Sequence, residues 1–159
     1  MHIEVNTVGV LGKSLSIKRE KGEDDAEIVV AHLKFSDAIV PRETIDELVG
    51  MGIGWAESCL YNELGAPVAR MEISLPKLSC EVTGTIKGNA KDDSITLAQA
   101  TLDGVSLLLT DKGASMSGNL AWLVAGDEAS DAEPLIGRLC SLHWVLQDAG
   151  QKDLLKDAA

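Results

Sequence analysis

From Leu78 to Lys87 apolar and polar residues alternate without a break. Leu78, Cys80, Val82, Gly84 and Ile86 share one face, and Ser79, Glu81, Thr83, Thr85 and Lys87 share the other. A period of two marks a strand with one face in a core and one in water, as in antiparallel sheets. The same pattern predicts strands over His2–Val8, over Lys13–Glu20 with Leu15 and Ile17 on one face, and over Glu27–Phe35 with Val29, Ala31, Leu33 and Phe35 together. It predicts Arg70–Leu75 as a strand paired with Leu78–Lys87 around Pro76. Further strands are expected over Ser94–Ala100, Val105–Thr110, Met116–Ala125 and Leu142–Gln147, with Asp111-Lys112-Gly113 as a turn.

The period changes after Pro41. Proline is tolerated at a helix start, Glu43 suits the positive end of the helix dipole, and Ile45, Leu48 and Val49 form a stripe at helical spacing. Gly50 and Gly52 should end this helix. Trp55–Tyr61 reads as a second short helix with Trp55, Cys59 and Leu60 inward, and Pro134–Leu139 as a helical turn. The expected fold is mainly β (α+β), an antiparallel sandwich or barrel-like core with two or three short helices.

Two stretches run in parallel. Ile3, Val5, Gly12, Ser14, Leu15 and Ile17 match Ile95, Leu97, Gly104, Ser106, Leu107 and Leu109, each pair offset by 92 positions. The match continues with drifts of a residue or two: Lys21-Gly22 with Lys112-Gly113, Ala31 and Leu33 with Ala121 and Leu123, Pro41 with Pro134, and Ile45 and Leu48 with Ile136 and Leu139. This predicts an internal pseudo-two-fold duplication within one domain over 1–150. The repeats are 2–50 and 94–140, the bridge is 51–93, and 151–159 is a polar C-terminal tail. Such units would pack about a shared sheet-on-sheet or barrel-like core.

Composition narrows the function. The 159 residues carry 25 acidic and 14 basic side chains, a net charge of −11. Direct nucleic-acid binding relies on a basic stripe to neutralise phosphates. The densest basic group, Lys18, Arg19 and Lys21, is surrounded by Glu20, Glu23, Asp24 and Asp25. Acidity of this kind serves solubility, or it forms a surface that docks on a basic partner by mimicking nucleic acid. Three cysteines without repeated spacing do not read as a disulfide framework. No basic-then-apolar leader pattern opens the chain, and no apolar run approaches the ~20 residues that span a bilayer. The expectation is a cytoplasmic protein away from the membrane.

No familiar catalytic or ligand-binding constellation stands out. Cys140-x-x-His143 has metal-like spacing, but a structural zinc site takes four ligands, and His32, Cys59 and Cys80 are isolated. No local pattern marks an activated thiol or a Gly-x-Ser-x-Gly elbow, and Gly113–Gly118 reads as a flexible hairpin shoulder. Gly50-Met51-Gly52-Ile53-Gly54 lacks the strand before it and the third glycine of a dinucleotide loop. It reads as a helix terminator, or as a recognition loop presenting Met51, Ile53 and Trp55. The loop Gly126–Glu133 holds four carboxylates without the ordered calcium-loop pattern, and it loads negative charge before Pro134. The expectation is therefore no enzyme, no metal and no cofactor.

The run Ile95-Thr96-Leu97 through Leu107-Leu108-Leu109 is followed by a Lys-Gly turn, a strand, an acidic loop and Ile136-Gly137-Arg138-Leu139-Cys140-Ser141-Leu142. In this, residues 90–148, and more loosely 13–50, resemble a group of small bacteriophage accessory proteins built of two strand-rich halves. The resemblance implies a phage context, among genes for recombination and DNA metabolism, and so the cytoplasm of a bacterial host. It implies no activity.

The functional expectation is a non-enzymatic phage accessory protein that modulates or inhibits a host or phage DNA-processing or defence complex. It would bind a protein partner, such as a nucleic-acid-binding protein with a basic surface. The candidate contact residues are Glu23, Asp24, Asp25, Trp55, Asp127, Glu128, Asp131 and Glu133. The alternative is a virion or assembly protein in which duplicated β modules form a homo-oligomer.

Overall fold

The computed structural model describes residues 2–21, 27–88, 93–123 and 132–148. Seven strands form one antiparallel sheet: β1 (His2–Lys21), β2 (Glu27–Val40), β3 (Glu72–Leu75), β4 (Cys80–Lys87), β5 (Ser94–Thr110), β6 (Gly113–Leu123) and β7 (Leu139–Asp148). The sheet order is β3-β5-β4-β7-β1-β2-β6, and an additional β5–β6 pairing closes six of the strands into a barrel. Two helices, α1 (Arg42–Val49) and α2 (Trp55–Leu60), lie between β2 and β3.

The barrel interior is packed with side chains. Ile3, Val5, Leu33, Phe35, Val82, Ile86, Leu97, Leu102, Leu120, Leu142 and Leu146 are all buried. Trp144 is the largest fully buried side chain and meets Phe35 edge to face, with ring centroids 5.1 Å apart. Alternation assigns these faces well: along β7, Cys140, Leu142, Trp144 and Leu146 are buried between more exposed residues.

Strand boundaries differ from the expectation because β1 and β5 run on unbroken past successive partners. His2–Val8 and Lys13–Glu20 are one strand, which pairs with β7 over His2–Val10 and with β2 from Val10 to Lys21. Likewise Ser94–Ala100 and Val105–Thr110 are one strand, pairing with β4 before its bend and with β3 after it. Gly12 and Gly104 sit where register shifts bend these strands, and Gly104 has φ +61°. β3 and β4 do not pair with each other. Both pair with β5 in succession, along Val105–Leu108 and Ser94–Leu102, with the Pro76 turn between them. The hairpin shoulder expected over Gly113–Gly118 is the first half of β6, where Ala114, Met116 and Gly118 are buried.

The register bears directly on the duplication. Val5 pairs with Trp144, and its counterpart Leu97 pairs with Gly84. Gly84 and Trp144 pair with each other. One row therefore crosses β1, β7, β4 and β5, and a pseudo-two-fold axis passes between Gly84 and Trp144. It exchanges β1 with β5, β2 with β6 and β7 with β4.

For the second strand of each unit the register corrects the alignment. Leu11 pairs with Phe35 and its counterpart Asp103 with Asn119, so Phe35 corresponds to Asn119, an offset of 84 rather than 90. The two Lys-Gly pairs are not equivalent either. The β5–β6 hairpin turns between Thr110 and Gly113, whereas β1–β2 pairing runs on to Lys21 and Glu27. The second unit's helix is also reduced to a 3-10 turn over Glu133–Leu135, because the chain must re-enter the sheet at Leu139.

Candidate functional site

Helices α1 and α2 and the loop between them form a cap on the barrel that carries Ile53, the most exposed apolar side chain of the described residues. Helix α1 starts after Pro41, which caps without a side-chain hydrogen bond, and ends at Gly50 in the left-handed conformation (φ +81°). Its buried face holds Ile45 and Leu48, as the stripe predicts, and also Asp46, only 4 % exposed. The Asp46 backbone carbonyl accepts from Gly50 N and Met51 N. Its carboxylate accepts from Gly54 N at 2.9 Å and Ala56 N at 2.6 Å. Hydrogen bonds to a charged acceptor are the stronger kind, so one residue pins both ends of the 50–54 loop and caps α2.

The pinned loop turns its apolar side chains outward. Ile53 is fully exposed and Met51 about half exposed. Trp55 is half-buried and packs against the core. In α2 the inward positions are Ala56 and Leu60, one helical turn apart. Cys59 is exposed, contrary to the expectation that it points inward, because the buried face is centred one position further along the helix.

Arg42 and Tyr61 tie the cap to the barrel. The Arg42 guanidinium lies 4.0 Å from the Tyr61 ring centroid, donates to the Gly65 carbonyl at 2.7 Å and approaches Glu57 at 3.8 Å. Glu57 is largely exposed, so that ion pair adds little. The Tyr61 hydroxyl donates to the Gly113 carbonyl at the β5–β6 turn. Burial raises the Tyr61 pKa, and Arg42 partly opposes that shift. Beyond Tyr61 the chain is held by the Asn62 side-chain carbonyl, which accepts from Leu64 N and Ala66 N, and it presents Leu64 and Val68 to solvent.

Of the candidate contact residues, Trp55 lies in this cap and Glu133 in the 3-10 turn before β7. Glu23, Asp24, Asp25, Asp127, Glu128 and Asp131 lie outside the described residues. Sequence reasoning missed Asp46 and Arg42. The available signal was indirect: α2 begins after Gly54 with no Ser, Thr, Asp or Asn beside it to accept its first N–H groups. The Asp46 carboxylate supplies that acceptor from the preceding helix.

Other chemistry-bearing side chains are dispersed. Burial pushes the Cys80 thiol up to about 11 and raises that of Cys140, which donates to backbone carbonyls. Both thiols are thus held protonated, in their unreactive form. A groove of about 310 Å³ crosses the outer barrel face, lined in part by Glu4, Asn6, Thr83 and His143. His143 is exposed, with Nδ1 2.9 Å from the Asn6 side-chain oxygen. Among the described residues no three His, Cys, Asp or Glu side chains converge as metal ligands, and no helix is long and apolar enough to cross a membrane. Compared with known proteins, the chain matches no family model, no curated protein and no solved structure.

Proposed function

We propose that this protein is a non-enzymatic binding module that docks on a protein partner through its helical cap. In a phage setting the partner is a host or phage DNA-processing or defence complex, which the protein modulates by occupancy. The observation that carries the reading is Ile53, fully exposed on a backbone pinned through Asp46. Ile53 and the half-exposed Met51 lie two residues apart on this ordered loop and offer apolar area that a partner would gain by burying. Pinning the loop also removes part of the entropic cost of binding. Two protonated thiols and a side-chain-filled barrel support binding over catalysis.

A photo-cross-linking residue at position 53 tests this in bacterial lysate, with the same residue at exposed position 98 on β5 as control. A discrete adduct at 53 that is absent at 98, and loss of the same partner from affinity capture by Ile53→Asp, are the expected results. Equal adducts at both positions would reject the cap as the docking surface.

A further inference from the structure

Between Arg42 and Arg70 the chain has no Lys, Arg or His, while Glu43, Asp46, Glu47, Glu57 and Glu63 fall in that stretch. All of these lie within the described residues. The Asp46 carboxylate is occupied by the Gly54 and Ala56 amides. Glu57 is shared with Arg42 at 3.8 Å, and Arg42 is itself held on the Tyr61 ring and the Gly65 carbonyl. Glu43, Glu47 and Glu63 are exposed and have no cationic partner among the described residues. At the margins of the cap, Arg70 is offset by Glu72 and Lys112 by Asp111.

The exposed apolar side chains belong to the same cation-free stretch. Met51 and Ile53 stand on the loop that Asp46 pins. Glu43 and Glu47 are four residues apart on α1, hence on one face, and Met51 follows four positions later. The end of α1 has the same sign. Its last carbonyls carry the negative end of the helix dipole, and its last turn holds no basic residue. Apolar area and unneutralised negative charge therefore adjoin at the α1–α2 loop.

We propose that the occupant of the cap is a basic amphipathic segment of the partner protein. Its aliphatic side chains seat on Met51 and Ile53, and its Lys or Arg side chains meet Glu43, Glu47 and the end of α1. This deepens the reading of the cap as a docking surface and rests on it. Burial of apolar area supplies affinity, and charge selects the partner and speeds its approach. The same charge opposes other occupants. Two caps face to face would set Glu43 and Glu47 against like charges, as would an acidic segment or the phosphates of a nucleic acid. A neutral apolar segment would cover Met51 and Ile53 but leave the α1 carboxylates unanswered.

The probes are two capped peptides of about fifteen residues, each with Leu at helical spacing, one with Lys and one with Glu at the other positions. Each is titrated into the full-length protein while backbone amide shifts are followed by NMR. The Lys peptide should bind and shift residues 43–57 first, and the Glu peptide should not bind. A chain of net charge −11 attracts polycations in general, so the deciding comparison is between two variants that lose the same charge. Glu43→Gln, Glu47→Gln should weaken the Lys peptide about fivefold, while Glu4→Gln, Glu133→Gln, outside the cap, should change it by less than about twofold. Ile53→Ser should weaken it about tenfold. Equal weakening by the two double variants, equal affinity of the two peptides, or self-association of the free protein through the cap would overturn the proposal. The lysate cross-link separates this inference from the reading beneath it. A position-53 adduct whose yield Glu43→Gln, Glu47→Gln leaves unchanged keeps the docking surface and overturns the basic occupant, whereas equal adducts at positions 53 and 98 remove the docking surface itself.

Discussion

Gly84 and Trp144 face each other across β4 and β7, and a side chain at Gly84 would collide with the strand that carries Trp144. A Cβ built there lies 1.9 Å from the His143 carbonyl oxygen, and Gly84 has φ +145°. Bulk is thus excluded at the centre of the barrel's symmetric row, and Trp144 fills the interior opposite.

Gly84→Ala should therefore be among the most destabilising single substitutions in the chain. Backbone strain adds to a backbone clash, and a loss of more than about 3 kcal/mol is expected. Gly52→Ala is the control, since a Cβ there meets nothing within 4 Å. It should stay within about 0.5 kcal/mol of the parent. Urea unfolding of both variants measures the difference.

Asp46→Ala leaves the Gly54 and Ala56 amides without their acceptor and should cost about 2–4 kcal/mol, the range for losing two charge-assisted hydrogen bonds partly regained by water. Amide exchange at residues 54 and 56 should accelerate sharply while β7 amides stay protected. Unchanged exchange at 54 would show that the loop is held by something other than Asp46.

Positions related by the pseudo-two-fold axis should respond unequally. Leu109→Ala removes a buried side chain and should cost about 2–4 kcal/mol. Ile17→Ala trims a side chain already half in water and should cost no more than about 1 kcal/mol. Equal losses in unfolding experiments would mean that Ile17 is buried as fully as Leu109.

The thiols give a labelling count and a pH dependence. Cys59 is exposed, while Cys80 and Cys140 are buried. Alkylation at pH 8 should modify one thiol in the native protein and all three after denaturation, as counted by mass spectrometry. Cys80 holds its proton in the fold up to about 11, against an ordinary value of 9.0. Below pH 9 both states are protonated and its contribution is intact. As pH rises from 9 towards 11 the unfolded chain ionises first, so stability falls across that window. The raised Cys140 value acts in the same direction. Cys80→Ala should flatten the decline in a series of unfolding curves.

Much of the secondary structure was legible from period alone. The inward faces of β4 and β7, helix α1 ending at Gly50, and the turn before Gly113 all follow from residue spacing, because side-chain direction repeats every two residues in a strand and every 3.6 in a helix. The offset of 92 between β1 and β5 was legible too, since it rests on the same faces. The equivalence of the second strands was misjudged by about six residues. The two Lys-Gly pairs look alike in sequence, yet they stand at different heights on hairpins of different length.

By itself the sequence determined which residues face a core, where the chain turns and that its two long strands are cut to one pattern, because those features depend on neighbours a few positions away. Only the tertiary structure decided that each pair of predicted strands at the start of a repeat is one bent strand, and that β3 pairs with β5 rather than with β4. It alone joined Asp46 to the amides of Gly54 and Ala56, and seated β3 on β5 beyond the end of β4. Register and edge coverage arise from backbone hydrogen bonds between segments far apart in the chain, and the backbone groups that make them are nearly the same at every residue. Local alternation specifies which way a side chain points and leaves open which strand will lie beside it.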